Sequence, residues 1–268
     1  MNNLHRELAP ITGAAWEQIE QEAARTLKRH LAARRVVDVA GPEGVDLAGV
    51  GTGHQSAIQP PAEGIEAALR EFKPLVELRV PFELSRRDLD AVERGSNDPD
   101  LQPLKDAARK IAFAEDRAVF EGYAQARIDG LRQGTSNAAV PLPADVGDYP
   151  AAVAQAVSQL RDVGVNGPYV LLLGEQAYTA VSGSTLSGYP LRKDIRQLVD
   201  EDIIWAPAIE GGAVLSKRGG DFALHLGQDM SIGYLGHDDR SVRLYLQESF
   251  TFLQLTAEAA VMLSQGGT

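Results

Sequence analysis

Between Asp46 and Pro74 the chain carries Gly49, Gly51, Gly53, Pro60, Pro61 and Gly64 with few apolar residues among them. Glycine and proline at that density break any long helix, and an unstructured loop of that length is uncommon inside a compact domain. The stretch therefore reads as an extended arm or hairpin that finds its partners on another chain. The next stretch is the opposite case. Val76, Leu78, Val80, Phe82 and Leu84 alternate with Glu77, Arg79, Pro81 and Glu83, the period-two pattern of a half-buried strand. Pro81 cannot donate to a ladder, which predicts an edge position or a face without a ladder bond there.

Helical periodicity lies on both sides of the arm. Trp16, Ile19, Ala23, Leu27 and Leu31 recur three or four apart and predict a helix from Gly13 to Ala33, with Thr12 as its cap. A short strand, Val36 to Val39, comes after Arg34-Arg35 and ends at Gly41-Pro42. Leu104, Ala108, Ile111, Ala112, Val119, Phe120 and Tyr123 predict one spine helix from about Leu101 to Ile128, opened by Asp98-Pro99-Asp100. It would run about 40 Å at ~1.5 Å per residue. A helix over Tyr149 to Val163, a buried strand Tyr169 to Leu173, a glycine-rich turn from Gly183 to Pro190 and a strand Ile203 to Trp205 come next. The last third reads as strands at Phe222–Leu226, Met230–Leu235, Val242–Leu246 and Phe250–Leu255, with a turn at His237-Asp238-Asp239. The class is α+β.

Chemistry is scarce. A chain of 268 residues buries a large core without staples. With no cysteine there is no disulfide, thiolate metal site or thiol nucleophile. Twenty-six basic residues against 37 acidic ones leave a net charge of −11, which argues against nucleic acid as a partner. No signal peptide or apolar run of the ~20 residues needed to span a bilayer is legible, so the expectation is a soluble cytoplasmic chain with no membrane partner. Gly49 to Gly53 misses both the dinucleotide spacing and the Lys-Ser/Thr of a phosphate loop. The five histidines never stand four apart, and a turn accounts for His237-Asp238-Asp239. No Gly-x-Ser-x-Gly elbow is present. Glu115 and Asp116 are neighbours on a helix and point to different faces, a poor acid/base couple, so one of them is expected to pair with Arg117 or a partner chain. No enzyme, cofactor or metal site emerges.

An ordered set of blocks nevertheless points to a family. Asn3-Leu4-His5-Arg6-Glu7-Leu8-Ala9-Pro10 with Trp16-Glu17-Gln18-Ile19, then Leu78-Arg79-Val80-Pro81-Phe82 and Val92-Glu93-Arg94-Gly95, resemble encapsulin shell proteins, the linocin-type bacteriocin family. So do Ala114 to Gly122, Gly167-Pro168-Tyr169, Gly188-Tyr189-Pro190, Arg218 to Phe222, Leu226 to Tyr234 and Gln247 to Phe252. No single block is decisive, whereas the ordered set spans nearly the whole chain.

The resemblance implies an HK97 phage-capsid-like fold. Residues 1–45 would form an N-terminal helix arm and the start of a peripheral domain, and 46–75 an extended loop. The peripheral domain with its spine helix would occupy 76–136, an axial domain 137–218, and the peripheral domain's C-terminal strands 219–268. It also implies self-assembly into a hollow icosahedral nanocompartment of 60 copies around a cargo enzyme. That cargo would be a dye-decolorising peroxidase, or alternatively a ferritin-like protein, bound on the inner wall by its C-terminal peptide. Leu27, Leu31 and Val36 would supply apolar surface for the peptide, Arg34 and Asp38 polarity, and Met230, Ile232 and Tyr234 the opposing wall. Ser184, Gly188, Tyr189, Pro190, Leu191, Arg192 and Lys193 would rim a five-fold pore. Two competitors are a viral capsid protein, disfavoured by the negative charge, and a bacteriocin or protease, for which no nucleophile or metal pair is visible.

Overall fold

The structure, a computed structural model, describes residues 3–186 and 188–265. Its elements run α1 (Gly13–His30), β1 (Asp38–Ala40), β2 (Gly49–Ala57), β3 (Ala68–Pro74), β4 (Val76–Ser85), α2 (Arg86–Glu93), α3 (Gln102–Glu121) and α4 (Leu131–Gly134). Next come β5 (Val140–Leu142), α5 (Tyr149–Asp162), β6 (Tyr169–Leu173), α6 (Glu175–Gly183), β7 (Thr185–Leu186), β8 (Tyr189–Pro190), α7 (Leu191–Arg196) and β9 (Ile204–Trp205). The chain closes with β10 (Gly212–Ser216), β11 (Phe222–Leu226), β12 (Ser231–His237), β13 (Ser241–Gln254) and β14 (Ala260–Gln265).

Thr12 caps α1 as expected, its Oγ1 accepting from the Ala15 amide at 3.3 Å. The helix stops at His30, short of the predicted Ala33. Asp116 takes the amides of Ala32 and Ala33, at 3.0 and 2.9 Å, and draws the chain into a 3-10 turn over Ala33–Arg35. The amides of Val36 and Val37 then donate to the Ala33 carbonyl, so β1 begins at Asp38 instead of Val36. The spine helix α3 also ends early. Gly122 adopts φ +83°, a conformation glycine takes freely, and a side chain on Gly130 would collide with its backbone nitrogen. The chain folds back there, pairing Tyr123 with Ile128, so the spine has 20 residues and spans about 30 Å.

The first sheet is built on β13. Its 14 residues merge the two strands predicted at Val242–Leu246 and Phe250–Leu255. It pairs with β4 along residues 241–250, with β12 along 242–247 and with β11 along 250–254; β1 lies parallel to β11. Among the described residues β4 pairs with β13 alone, which gives Pro81 an edge. The second sheet has the order β5-β14-β10-β6-β9. The last strand, expected beside the others of 219–268, thus belongs to the sheet formed mainly by residues 137–218. Two cores result, and α3 spans both. Leu104, Ala108, Ile111 and Ala112 pack with α1, α2, β4 and β12, while Ala118, Val119 and Phe120 pack in the core of the second sheet.

Candidate functional site

Strands β2 and β3 pair only with each other among the described residues, forming the arm foreseen from the glycine-rich stretch. A Cβ on Gly49 would lie 2.6 Å from the Phe72 ring, so this register needs glycine there. The arm is pinned at its base, where the Leu75 amide donates to the Ala48 carbonyl and Lys73 pairs with Asp129 at 2.6 Å. Beyond the base it has little to bury. Leu69 is 60% and Phe72 56% exposed, and Ile58 and Ile65 are exposed too. An isolated two-stranded ribbon is marginal in water, and exposed apolar side chains gathered on one projection mark a contact surface.

The eight residues expected to hold a cargo peptide do not form one groove. Leu27, Leu31 and Ile232 are buried in the core under α1, against which Met230 and Tyr234 pack partly buried. Val36 lies in the other core. Asp38 is exposed and accepts from the Gly220 amide at 2.6 Å. The segment ahead of α1 runs over β12, the Tyr234 amide donating to the Leu4 carbonyl at 2.8 Å. What remains open is a cleft of about 140 Å³ lined by Val36, Asp38, Lys217 and Phe222, with exposed Val39 on the neighbouring edge strand.

Arg34 is not available to a peptide. Its Nε lies 2.9 Å from Glu115, one terminal nitrogen 2.6 Å from Asp229 and the other 3.1 Å from Glu248. Glu115, Asp116 and Glu248 are wholly buried, and Asp229 is half-exposed. This corrects the expectation that Glu115 or Asp116 pairs with Arg117 or another chain: Arg117 instead donates to the Ala208 carbonyl. Both acids are engaged because the 3-10 turn and β13 flank α3 on adjacent sides. Burial opposes the Arg34 charge, but hydrogen bonds to Glu115 and Asp229 outweigh it and raise its pKa. Burial pushes Asp116 up to about 7 in spite of its two amide donors. Burial, then the adjacent Glu115, raises Glu248 well above the usual carboxylate range. No motif marks this cluster, whose members lie up to 214 positions apart.

Of the proposed pore residues, Tyr189 and Pro190 form β8 of a small ribbon with β7, Ser184 and Gly188 flank these strands, and Leu191, Arg192 and Lys193 open α7; Ser187 lies outside the described residues. Gly188, Tyr189, Pro190 and Lys193 are exposed, with the Lys193 ammonium 5.9 Å from the Tyr189 ring. Arg192 stands over the Tyr178 ring at 5.6 Å. Ser184 accepts from the Leu191 amide at 3.1 Å through its carbonyl. Leu191 itself is buried and anchors α7. It belongs to the core and cannot line a rim.

Comparison with known proteins assigns this arrangement. The Linocin_M18 family model, described as "Encapsulating protein for peroxidase", matches residues 1–251. A type 1 encapsulin shell protein of Rhodococcus erythropolis is 58% identical over 264 residues, covering 98% of this chain and 100% of that one. The virus-like particle from Pyrococcus furiosus superposes with a TM-score of 0.63 at 15% identity, over 92% of this chain and 98% of that chain. The capsid of the myovirus phage XM1 gives 0.54 at 11% identity, over 88% and 92%. The fold is the HK97 capsid fold, with its helices and sheets in α+β arrangement.

Proposed function

This chain belongs to the Linocin_M18 family of encapsulating proteins, and on that premise we propose that it is the shell subunit of an encapsulin nanocompartment, built from 60 copies and closed by icosahedral symmetry. The observation that carries this reading is the arm, which has no partner for Leu69 and Phe72 among the described residues of its own chain. Heterologous contacts that close by symmetry give shells, and several modest contacts per copy add up to a persistent assembly. The subunit is not itself a catalyst, and it works in the cytoplasm. Among the described residues no helix is long and apolar enough to cross a membrane.

We read the cargo as a dye-decolorising peroxidase; the family description supports a peroxidase. Its C-terminal peptide docks on the inner wall beside the cleft between Asp38 and Phe222. The outer edge of β1 is unpaired among the described residues, and an extended peptide can add to such an edge. The ribbon carrying Tyr189 and the first turn of α7 with Lys193 rim the five-fold opening, where Lys193→Glu is expected to change the passage of small anions and leave assembly intact. Size-exclusion chromatography and negative-stain microscopy of the purified chain test the shell, and mass spectrometry of the enclosed protein tests the cargo. A well-folded monomer that never closes into hollow particles would falsify the reading.

A further inference from the structure

We propose that the trough between α1 and the first turns of α3, ended by Trp205 of β9, is a binding site for a nucleoside diphosphate. Arg25, Arg29, Lys105 and Arg109 hold its phosphates, and the Trp205 ring receives its base. The trough has a volume of about 500 Å³, within the ~300–1,000 Å³ of small-molecule sites. Its walls come from two helices that share one core. Arg25 and Arg29 stand one turn apart on α1, and Lys105 and Arg109 one turn apart on α3, so each pair shares a helix face. All four line the same space. Glu22 and Asp106 are the carboxylates there, and each pairs with the arginine three positions on in its own helix. Arg29 and Lys105 have no ion pair among the described residues. The Arg29 guanidinium lies instead 5.5 Å from the centroid of the Trp205 ring.

Folding alone does not explain this arrangement. Arg29, in the last turn of α1, suits the helix dipole. Lys105 stands one turn from the N-terminus of α3, where the dipole repels a cation, and like charges one turn apart on a helix repel as well. In a chain of net charge −11, two helices thus converge their cations on one concavity. A bound diphosphate turns these repulsions into attractions, because guanidinium forks take phosphate oxygens through paired hydrogen bonds. The end of the trough suits a flat ring. Trp205 Nε1 donates to Glu175 at 2.7 Å, which fixes the indole, and the His30 ring lies 5.6 Å from it. His30 Nδ1 is 2.8 Å from the Thr26 carbonyl. A carbonyl only accepts, so Nδ1 carries the hydrogen and Nε2 of the neutral ring is left as an acceptor. Aromatic faces take any base by stacking. The site therefore selects phosphate charge joined to a flat ring, and does not depend on whether the chain assembles.

The test is calorimetric titration of ADP into the purified full-length protein at about 50 mM salt, where charge contacts are little screened. Saturable binding is expected, with at least about tenfold loss of affinity in Arg29→Ala and in Lys105→Ala and a further loss when salt is raised to ~300 mM. Adenosine, which lacks the phosphates, is expected not to bind. Pyrophosphate, which lacks the ring, is expected to bind more weakly than ADP, and Trp205→Leu to remove that difference. No saturable ADP binding overturns the proposal, as does binding that both alanine variants leave unchanged. Adenosine binding as tightly as ADP overturns the phosphate contacts. Pyrophosphate binding as tightly as ADP overturns the nucleotide and leaves the trough a site for free polyphosphate. Arg29 is exposed, so should Lys105→Ala fail to fold, Arg29→Ala decides.

Discussion

Arg34 holds Glu115 through Nε and a terminal nitrogen at once, across 81 positions of chain, with both groups withdrawn from the surface. The guanidinium comes from the turn after α1 and the carboxylate from the middle of the spine helix, so this pair fixes where the N-terminal helix leaves the sheet.

Removing the cation leaves Glu115 and Glu248 facing each other. Arg34→Ala is expected to cost about 3–5 kcal/mol, the range for breaking one side of a buried ion pair, read from denaturant unfolding. Arg34→Lys should rescue little, because a single ammonium cannot match the fork that reaches Glu115, Asp229 and Glu248. Full stability in the lysine variant would contradict the geometry.

Asp116 gives a dependence on pH with a definite sign. Its folded pKa of about 7 lies above its unfolded value of 3.8, so the protonated form favours the folded state. That contribution is fully present below the unfolded pKa and is lost as pH rises toward 7. It amounts to about 4 kcal/mol at ~1.4 kcal/mol per unit. Stability measured from about pH 4 to 7 should therefore fall more steeply in the wild type than in Asp116→Asn. Parallel curves would remove Asp116 from the account.

The arm can be tested apart from folding. Leu69→Asp places a charge on a side chain that already faces water, so secondary structure and the unfolding midpoint should stay within about 0.5 kcal/mol of wild type. Closed particles should vanish from size-exclusion profiles and micrographs. Normal particles from this variant would move the assembly contact elsewhere.

Leu31 separates core from cargo contact. The family resemblance makes it peptide-facing, yet it is buried under α1, so Leu31→Asp should lose at least about 3 kcal/mol by burying an unpaired charge. Val39→Asp, at an exposed position on β1, should leave shells intact but empty. Cargo at normal stoichiometry in the Val39 variant would exclude that edge as the docking place.

Local pattern is a good guide wherever one element answers to its own residues. Thr12 caps α1, the alternation from Val76 to Leu84 is β4, and the glycine-rich run is a ribbon whose strands pair only with each other among the described residues. Boundaries fail where a distant group intervenes: Asp116 ends α1, the contact between Gly122 and Gly130 ends α3, and β14 crosses to the second sheet. Periodicity marks Leu27 and Leu31 as apolar, and the family resemblance puts Leu191 on a pore rim, without either saying whether these side chains face a core. Burial answers that for all three.

Composition, periodicity and the order of short blocks were enough to settle the α+β class, the projecting arm and the family, because each depends on neighbours in sequence. The placement of Arg34 among Glu115, Asp229 and Glu248 was decided by the tertiary structure alone. Charges attract or repel according to distance in space and to the water between them, and the chain brings these four together only when α3 and β13 have closed over the turn that carries Arg34.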